Sequence, residues 1–518
     1  MYTGTEIEIN DFSGGHASNI ARTNHTTKQA EDSQNIVIFP FGRGFRQRYG
    51  NTEFNSSAMN GGANLQGLSY YKLTNADEFL VAVCGNALFR STSTLGGTMT
   101  DITGALTITG GQNNIWTHLT FNDVHLGFGG PATSPNAPWA WTGSGNAAAL
   151  GGSPPSAYGA FHVNNRVFAF RTSANPSRIL WTIVGNQANW TGSGSGNADV
   201  WTSDNDSLTA AAILNTNTVL LFKENSVHQM IVSNLISNAF PIFPLFKDVG
   251  CVGKHAVVVA DGLCYFINSQ GRMKITDGAR IFTEKDFTAL NDADDLWAGL
   301  NASRLQYMQG KRIIGADYDH ILWICSASAA STNNQAIIWD LKNQCWLKHP
   351  TGFKCNVLTT TQAGVPYTGH YNGKIYKQDV SSAITDASES NAAIDAYWTS
   401  GWLRRNSLER ITQPRRINVS YETQTTGQIR LSYGFDFNAF AQTMTFSQAA
   451  PGGTYDVDFY DGTAVYSGQD DLISNNRIVG RGNVFQYRLR NDTSGNFMKI
   501  NSLTVSGKEA GQKVVTAR

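Results

Sequence analysis

Runs of four to eight residues that alternate apolar and polar side chains, each bounded by an Asn-Gly, Asp-Gly or Gly-Gly turn, recur along almost the whole chain. A period of two places alternate side chains on opposite faces of a strand, and these dipeptides supply the left-handed conformations that tight hairpins demand. Glu78 to Cys84 turns at Gly85-Asn86 into Ala87 to Arg90, and Ala256 to Ala260 turns at Asp261-Gly262 into Leu263 to Ile267. An all-β fold follows. Aligned on their central strands, the hairpins form a loose series at Phe79, Phe121, Phe168, Leu220, Tyr265, Leu322 and Tyr371 to Tyr376, spaced by about 40 to about 57 residues. That interval brackets one four-stranded propeller blade. The expectation is a β-propeller-like repeat domain over residues 61–380, with six or seven blades.

Two segments interrupt the series. Residues 285–309 carry apolar positions three and four apart, at Leu296, Trp297, Leu300, Leu305 and Met308, which predicts a short helical insertion between blades. Residues Ser381 to Asn391 turn polar and read as a linker, after which alternation resumes from Ala393 to Gly507. That region predicts a C-terminal β-sandwich ending in a tail, Lys508 to Arg518. The division expected is therefore 1–60 for an N-terminal arm and first strands, 61–380 for the propeller, and 381–518 for the sandwich and tail.

Charge narrows the function. Lys+Arg and Asp+Glu are 39 each, and charged residues make up only 15% of the chain. With no net positive field, a tight, salt-dependent nucleic-acid clamp is disfavoured. The surface must instead be built from Asn, Ser, Thr and the 51 glycines. Six cysteines (Cys84, Cys251, Cys264, Cys325, Cys345, Cys355) form no Cys-x-x-Cys pair and read as small buried hydrophobes in a reducing compartment. Neither a secretory leader nor a membrane span is expected, since no apolar run approaches the required length.

Signatures of zinc hydrolysis, serine hydrolysis and P-loop chemistry are missing from the sequence, so neither a cofactor nor a metal is expected. Gly192 to Gly196 lacks the strand-to-helix context of a phosphate loop and reads as a surface turn. Asp292, Asp294 and Asp295 could hold a hard cation but sit where a helix begins, where acids are favoured electrostatically. Asp204 and Asp206 read as turn residues. Paired carboxylates for glycoside cleavage are defined by distance rather than spacing, so a glycan-binding or glycan-cleaving propeller stays open as the alternative. Basic residues cluster twice: Arg43, Arg46 and Arg48, then Arg404, Arg405, Arg410, Arg415 and Arg416. Contact with phosphates or acidic partners is one explanation, and solvated strand faces with subunit salt bridges are the other.

Several motifs, weak singly, occur in an informative order. Phe12-Ser13-Gly14-Gly15, Asn35-Ile36-Val37 and Gly44 through Arg48-Tyr49-Gly50 come first. Asn165 to Phe170, Asn175 to Trp181, Leu221 to Val227, Gly250 to Gly253 and Gly271 to Gly278 follow. The chain resembles tail hub or nozzle proteins of short-tailed bacteriophages. The resemblance implies a structural virion protein made in the host cytoplasm, closing as a homohexameric ring below a tail adaptor. Such a ring would carry fibres or spikes and let double-stranded DNA leave, with the arginine groups as candidates for DNA-channel or inter-ring contacts. A chain of low charge suits a conduit through which DNA must slide, because each neutralised phosphate adds affinity. The glycine-rich stretch Gly143 to Gly152 could plug such a channel. Another minor tail or fibre-attachment role is the nearest alternative.

Overall fold

The computed structural model describes residues 5–22, 24–233, 239–283, 285–403, 411–422, 428–440, 442–447 and 471–510. Hairpin chemistry sets its architecture. Asn122-Asp123, Asn164-Asn165 and Asp261-Gly262 each form a two-residue turn with both φ values positive, between 48° and 78°. That is the turn whose twist matches the flanking strands. Repeated, it generates antiparallel sheets: Leu65–Lys72, Glu78–Cys84, Ala87–Arg90 and Thr100–Asp101 make blade 1, and Trp116–Phe121, Val124–Gly129, Trp139–Trp141 and Ala148–Ala149 make blade 2.

Blades 3 and 4 begin with Ala157–Val163 and Leu208–Asn215 and are also four-stranded. Blade 5, Val257–Ala260, Leu263–Ile267 and Met273–Thr276, has three strands. Blade 6 begins with Gln309–Ile314 and blade 7 with Cys355–Thr360. The first strand of each blade packs against the first strand of the next, and that of blade 7 returns to blade 1, so seven blades close a ring. Aromatic layers fill the gaps between blades: Tyr71, Phe79, Trp139 and Trp141 between blades 1 and 2, and Phe161, Phe168, Trp181 and Phe240 between blades 3 and 4, all buried.

The ring is closed by sequence from its beginning. Gly50–Glu53 supplies the outer strand of blade 7, pairing antiparallel with Ile375–Val380. Residues 1–60 are therefore not a unit of their own. Thr5–Ile9, Ile36–Ile38 and Phe45–Gln47 join Ile411–Glu422, Asp471–Arg477 and Lys499–Ala510 in one sheet of a sandwich. The facing sheet continues blade 6 through Gly15–His16 and Gln29–Gln34 into Ala396–Ser400, Phe485–Asn491, Gln428–Phe435 and Gln442–Ser447, ten strands in all. Between the two sheets lie Phe12, Phe45 and Trp398, whose ring centroids are 5.0–5.4 Å apart, with Val419, Leu431, Tyr487 and Leu503 around them. Gly15, at φ +58°, lies so close to Cys345 and the Trp346 carbonyl that a Cβ would overlap both. The glycine pair after Phe12 is thus a close-approach site where the arm docks on blade 6.

The helical insertion lies between blades 5 and 6 as a short helix, Asp294–Ala298, and a 3₁₀ turn, Ala302–Tyr307. Leu296, Trp297, Leu300 and Leu305 enter the core, and Trp297 meets Trp346 edge-on at 5.2 Å. All six cysteines are buried and free. No helix among the described residues is long and apolar enough to cross a membrane.

Candidate functional site

The clustered arginines separate into groups with opposite surroundings. Arg43 is exposed in a turn. Arg46 and Arg48 lie on or beside Phe45–Gln47 and are buried at 2% and 3% exposure. Arg46 stacks over Tyr49 at 4.0 Å and faces Asp317 and Asp379 at 3.5 and 3.8 Å. Arg48 donates to Asn35 Oδ1 at 3.0 Å, to the Thr351 carbonyl at 3.1 Å and to Asp386 Oδ1 at 2.9 Å, with a second, shorter bond to Asp386 Oδ2. These guanidiniums join the arm, the propeller and the segment after blade 7. Their burial withdraws them from any contact with DNA or a neighbouring ring. Alternation along a three-residue strand gave no warning, because the whole strand is covered on both faces.

Arg404, Arg405 and Arg410 lie outside the described residues. Arg415 and Arg416 are exposed. The register against Lys499–Ala510 slips between Pro414 and Arg416, a bulge that accommodates a proline lacking its donor and turns consecutive arginines outward. Across the sheet Arg416 pairs directly with Arg477, which the sequence places 61 positions later and which only the antiparallel register reveals. Arg415, Arg416 and Arg477 line a cavity of about 690 Å³ with Val479 and Gly480, and no acid among the described residues lines it. None of the three forms an ion pair among the described residues. Like charges directly opposite are destabilising, and Val479, which lines the same cavity, is 61% exposed. Asp471–Arg477 is the outermost strand of its sheet among the described residues.

A second concavity lies on the propeller axis, about 490 Å³, lined by the first strands of blades 1, 2, 5, 6 and 7. One end is bridged. Lys254, 7% exposed, donates to the Ile115 carbonyl and, at 2.8 Å, to that of Tyr158, with its ammonium 4.1 Å from the Tyr158 ring. His255 bonds the Trp116 carbonyl at 3.1 Å, and Asn356 donates to the carbonyls of Leu65 and Gln112 at 2.7 and 2.8 Å. Burial holds the Lys254 ammonium well below its ordinary value, and burial beside Lys254 brings His118 and His255 down to about 3. Both imidazoles are therefore neutral at physiological pH.

The other residues singled out have structural occupations. Asp294 pairs with Arg272, and Asp295 lies 3.3 Å from His16 Nε2. Asp204 holds the fully buried Lys223 at 2.6 Å, and Asp206 accepts the Asn225 N–H at 2.9 Å. Among the described residues no group of three or more His, Cys, Asp or Glu is placed to hold a metal. The stretch Gly143 to Gly152 contains Ala148–Ala149, the outer strand of blade 2, so it lies at the propeller rim and not on its axis.

No family model and no curated protein matches the chain. Solved propellers resemble it in shape. A catalytically inactive virginiamycin B lyase from Staphylococcus aureus with quinupristin is 11% identical at TM-score 0.41, covering 64% of this chain and 99% of that one. The Cps50 (Swd1) β-propeller domain of Myceliophteria thermophila is 8% identical at 0.40, covering 64% and 100%. The N-terminal domain of Nup159 is 12% identical at 0.38, covering 64% and 95%. The chain is a β-propeller with a sandwich built from both of its ends. The likeness concerns fold and carries no activity across.

Proposed function

We propose that this chain is a structural virion protein, one subunit of the ring-shaped tail nozzle or hub of a short-tailed bacteriophage. Six copies surround the path of the departing DNA below an adaptor ring and carry fibres or spikes. The observation that carries this reading is the arginine surface of the sandwich. Two guanidiniums opposed across a sheet edge, with the exposed Val479 side chain beside them, destabilise an isolated chain and become favourable once an acidic neighbour or a phosphate meets them. In a heterologous ring such a surface meets a different patch of the next copy, and rotation closes the circle. The order of the sequence motifs supports the same assignment.

Mass photometry followed by electron-microscope class averages tests it, on the chain alone and with its adaptor. Six-fold rings that are lost on combining Arg416→Glu with Arg477→Glu, while the circular dichroism of the chain is kept, are the expected result. A chain that stays monomeric with and without an adaptor and releases sugar from glycans would overturn it in favour of an enzyme, and a trimer would point to a fibre or spike. One feature favours glycan binding as the second reading. Trp201 is 52% exposed in a left-handed conformation (φ 45°) at the mouth of a cavity of about 310 Å³ shared with Asp206, Asn225 and His228.

A further inference from the structure

We infer that the axial cavity of the propeller binds a compact small-molecule oxyanion, of the carboxylate or phosphate kind, against the Lys311 ammonium. Its size lies within the range of small-ligand sites. Among the described residues that line it there is no aspartate or glutamate, whereas Lys311, Arg312, His118 and His255 are all present. Arg312 is already neutralised by Asp319 at 2.6 Å and Asp261 at 2.9 Å. Lys311 has no ion pair among the described residues; its side chain is exposed to the cavity although strands surround it, and desolvation disfavours its charge. A cation is repelled from such a cavity, and a neutral guest leaves the ammonium uncompensated. An anion removes the imbalance.

The wall across the axis from Lys311 belongs to blade 2. Trp116, Thr117 and His118 are consecutive on the first strand of blade 2 and all line the cavity. The Trp116 and His118 rings turn from the cavity into the interface of blades 1 and 2, where the Trp139 ring lies 6.3 and 5.6 Å from them. The bridges from Lys254 and Asn356 close the cavity at the end where the first strands begin. A guest is therefore held in a dead-end pocket and does not traverse a pore.

Isothermal titration of the full chain with potassium phosphate and, separately, with potassium citrate, against potassium chloride at matched ionic strength, decides the matter. Saturable one-to-one binding of at least one oxyanion is expected, and which of the two binds identifies the headgroup. Lys311→Met should weaken it by about tenfold or more, the value of a charge-assisted hydrogen bond, and Lys311→Arg should largely preserve it. Should Lys311→Met fail to fold, Lys311→Gln supplies the same readout. Saturable binding of neither anion, or binding indifferent to these substitutions, would show that the cavity holds only water and overturn the inference.

Discussion

Replacing Asp386 by alanine isolates the junction between arm and propeller. The Asp386 side chain is 2% exposed and that of Arg48 is 4%. Asp386 also accepts from Asn51 Nδ2 at 3.0 Å, at the point where Asn51 and Asp386 pair in parallel. Deleting one member of a buried ion pair leaves an uncompensated charge and is destabilising by about 3–5 kcal/mol. Arg48 keeps its bonds to Asn35 and Thr351, which places the expectation at the lower end, near 3 kcal/mol. Guanidinium unfolding followed by tryptophan fluorescence measures it. The double variant Arg48→Met with Asp386→Leu should recover most of the loss, because an apolar pair of similar volume removes both charges together. A loss under about 1 kcal/mol for Asp386→Ala, or a double variant as unstable as the single one, would refute the view that this pair closes the molecule.

Acid should weaken the fold early. Burial brings His118, His255, His320 and His370 down to about 3, below the ordinary 6.5 of the unfolded chain. Their contribution is complete above about pH 6.5 and is lost as pH falls toward 3, by up to about 1.4 kcal/mol per pH unit for each. Denaturant midpoints at pH 7.5, 6 and 5 check this, and a flat series would contradict it. Gly50→Val should open blade 7, because a side chain there overlaps the Thr385 carbonyl; limited proteolysis should then cut between blades 7 and 1. Lys223→Met, which removes the donor to the Trp201 carbonyl at 2.7 Å, should destabilise by about 1–3 kcal/mol and increase quenching of tryptophan fluorescence by acrylamide as Trp201 is released.

Local chemistry made the blades legible. Asp261-Gly262 carries its turn type in two letters, and strands such as Phe79 to Cys84 announce themselves by β-branched and aromatic content. The helical insertion showed in the spacing of Leu296, Trp297 and Leu300 for the same reason. What depends on distant pairing was hidden. Nothing around Gly50 indicates that Asn51 and Thr52 complete a blade whose other strands lie more than 300 residues away. Arg46 and Arg48 resemble Arg415 and Arg416 in sequence, and only the sheets packed over the first pair distinguish an internal staple from a charged surface. Likewise, the Lys311 and Thr117 that line the axial cavity come from different blades, joined by the closure of the ring.

The pairing of Thr5–Ile9 with Leu503 to Gly507 has a consequence in time. Translation at roughly 5–20 residues per second separates the emergence of these partners by roughly half a minute to a minute and a half. Throughout that interval Ile9 and Phe12, fully covered in the finished molecule, have no sheet to enter, and Gly50–Glu53 has no blade 7 to join until Ile375–Val380 arrives. Folding is therefore completed after synthesis of nearly the whole chain. A ribosome stalled before residue 500 yields a product with its sandwich unclosed.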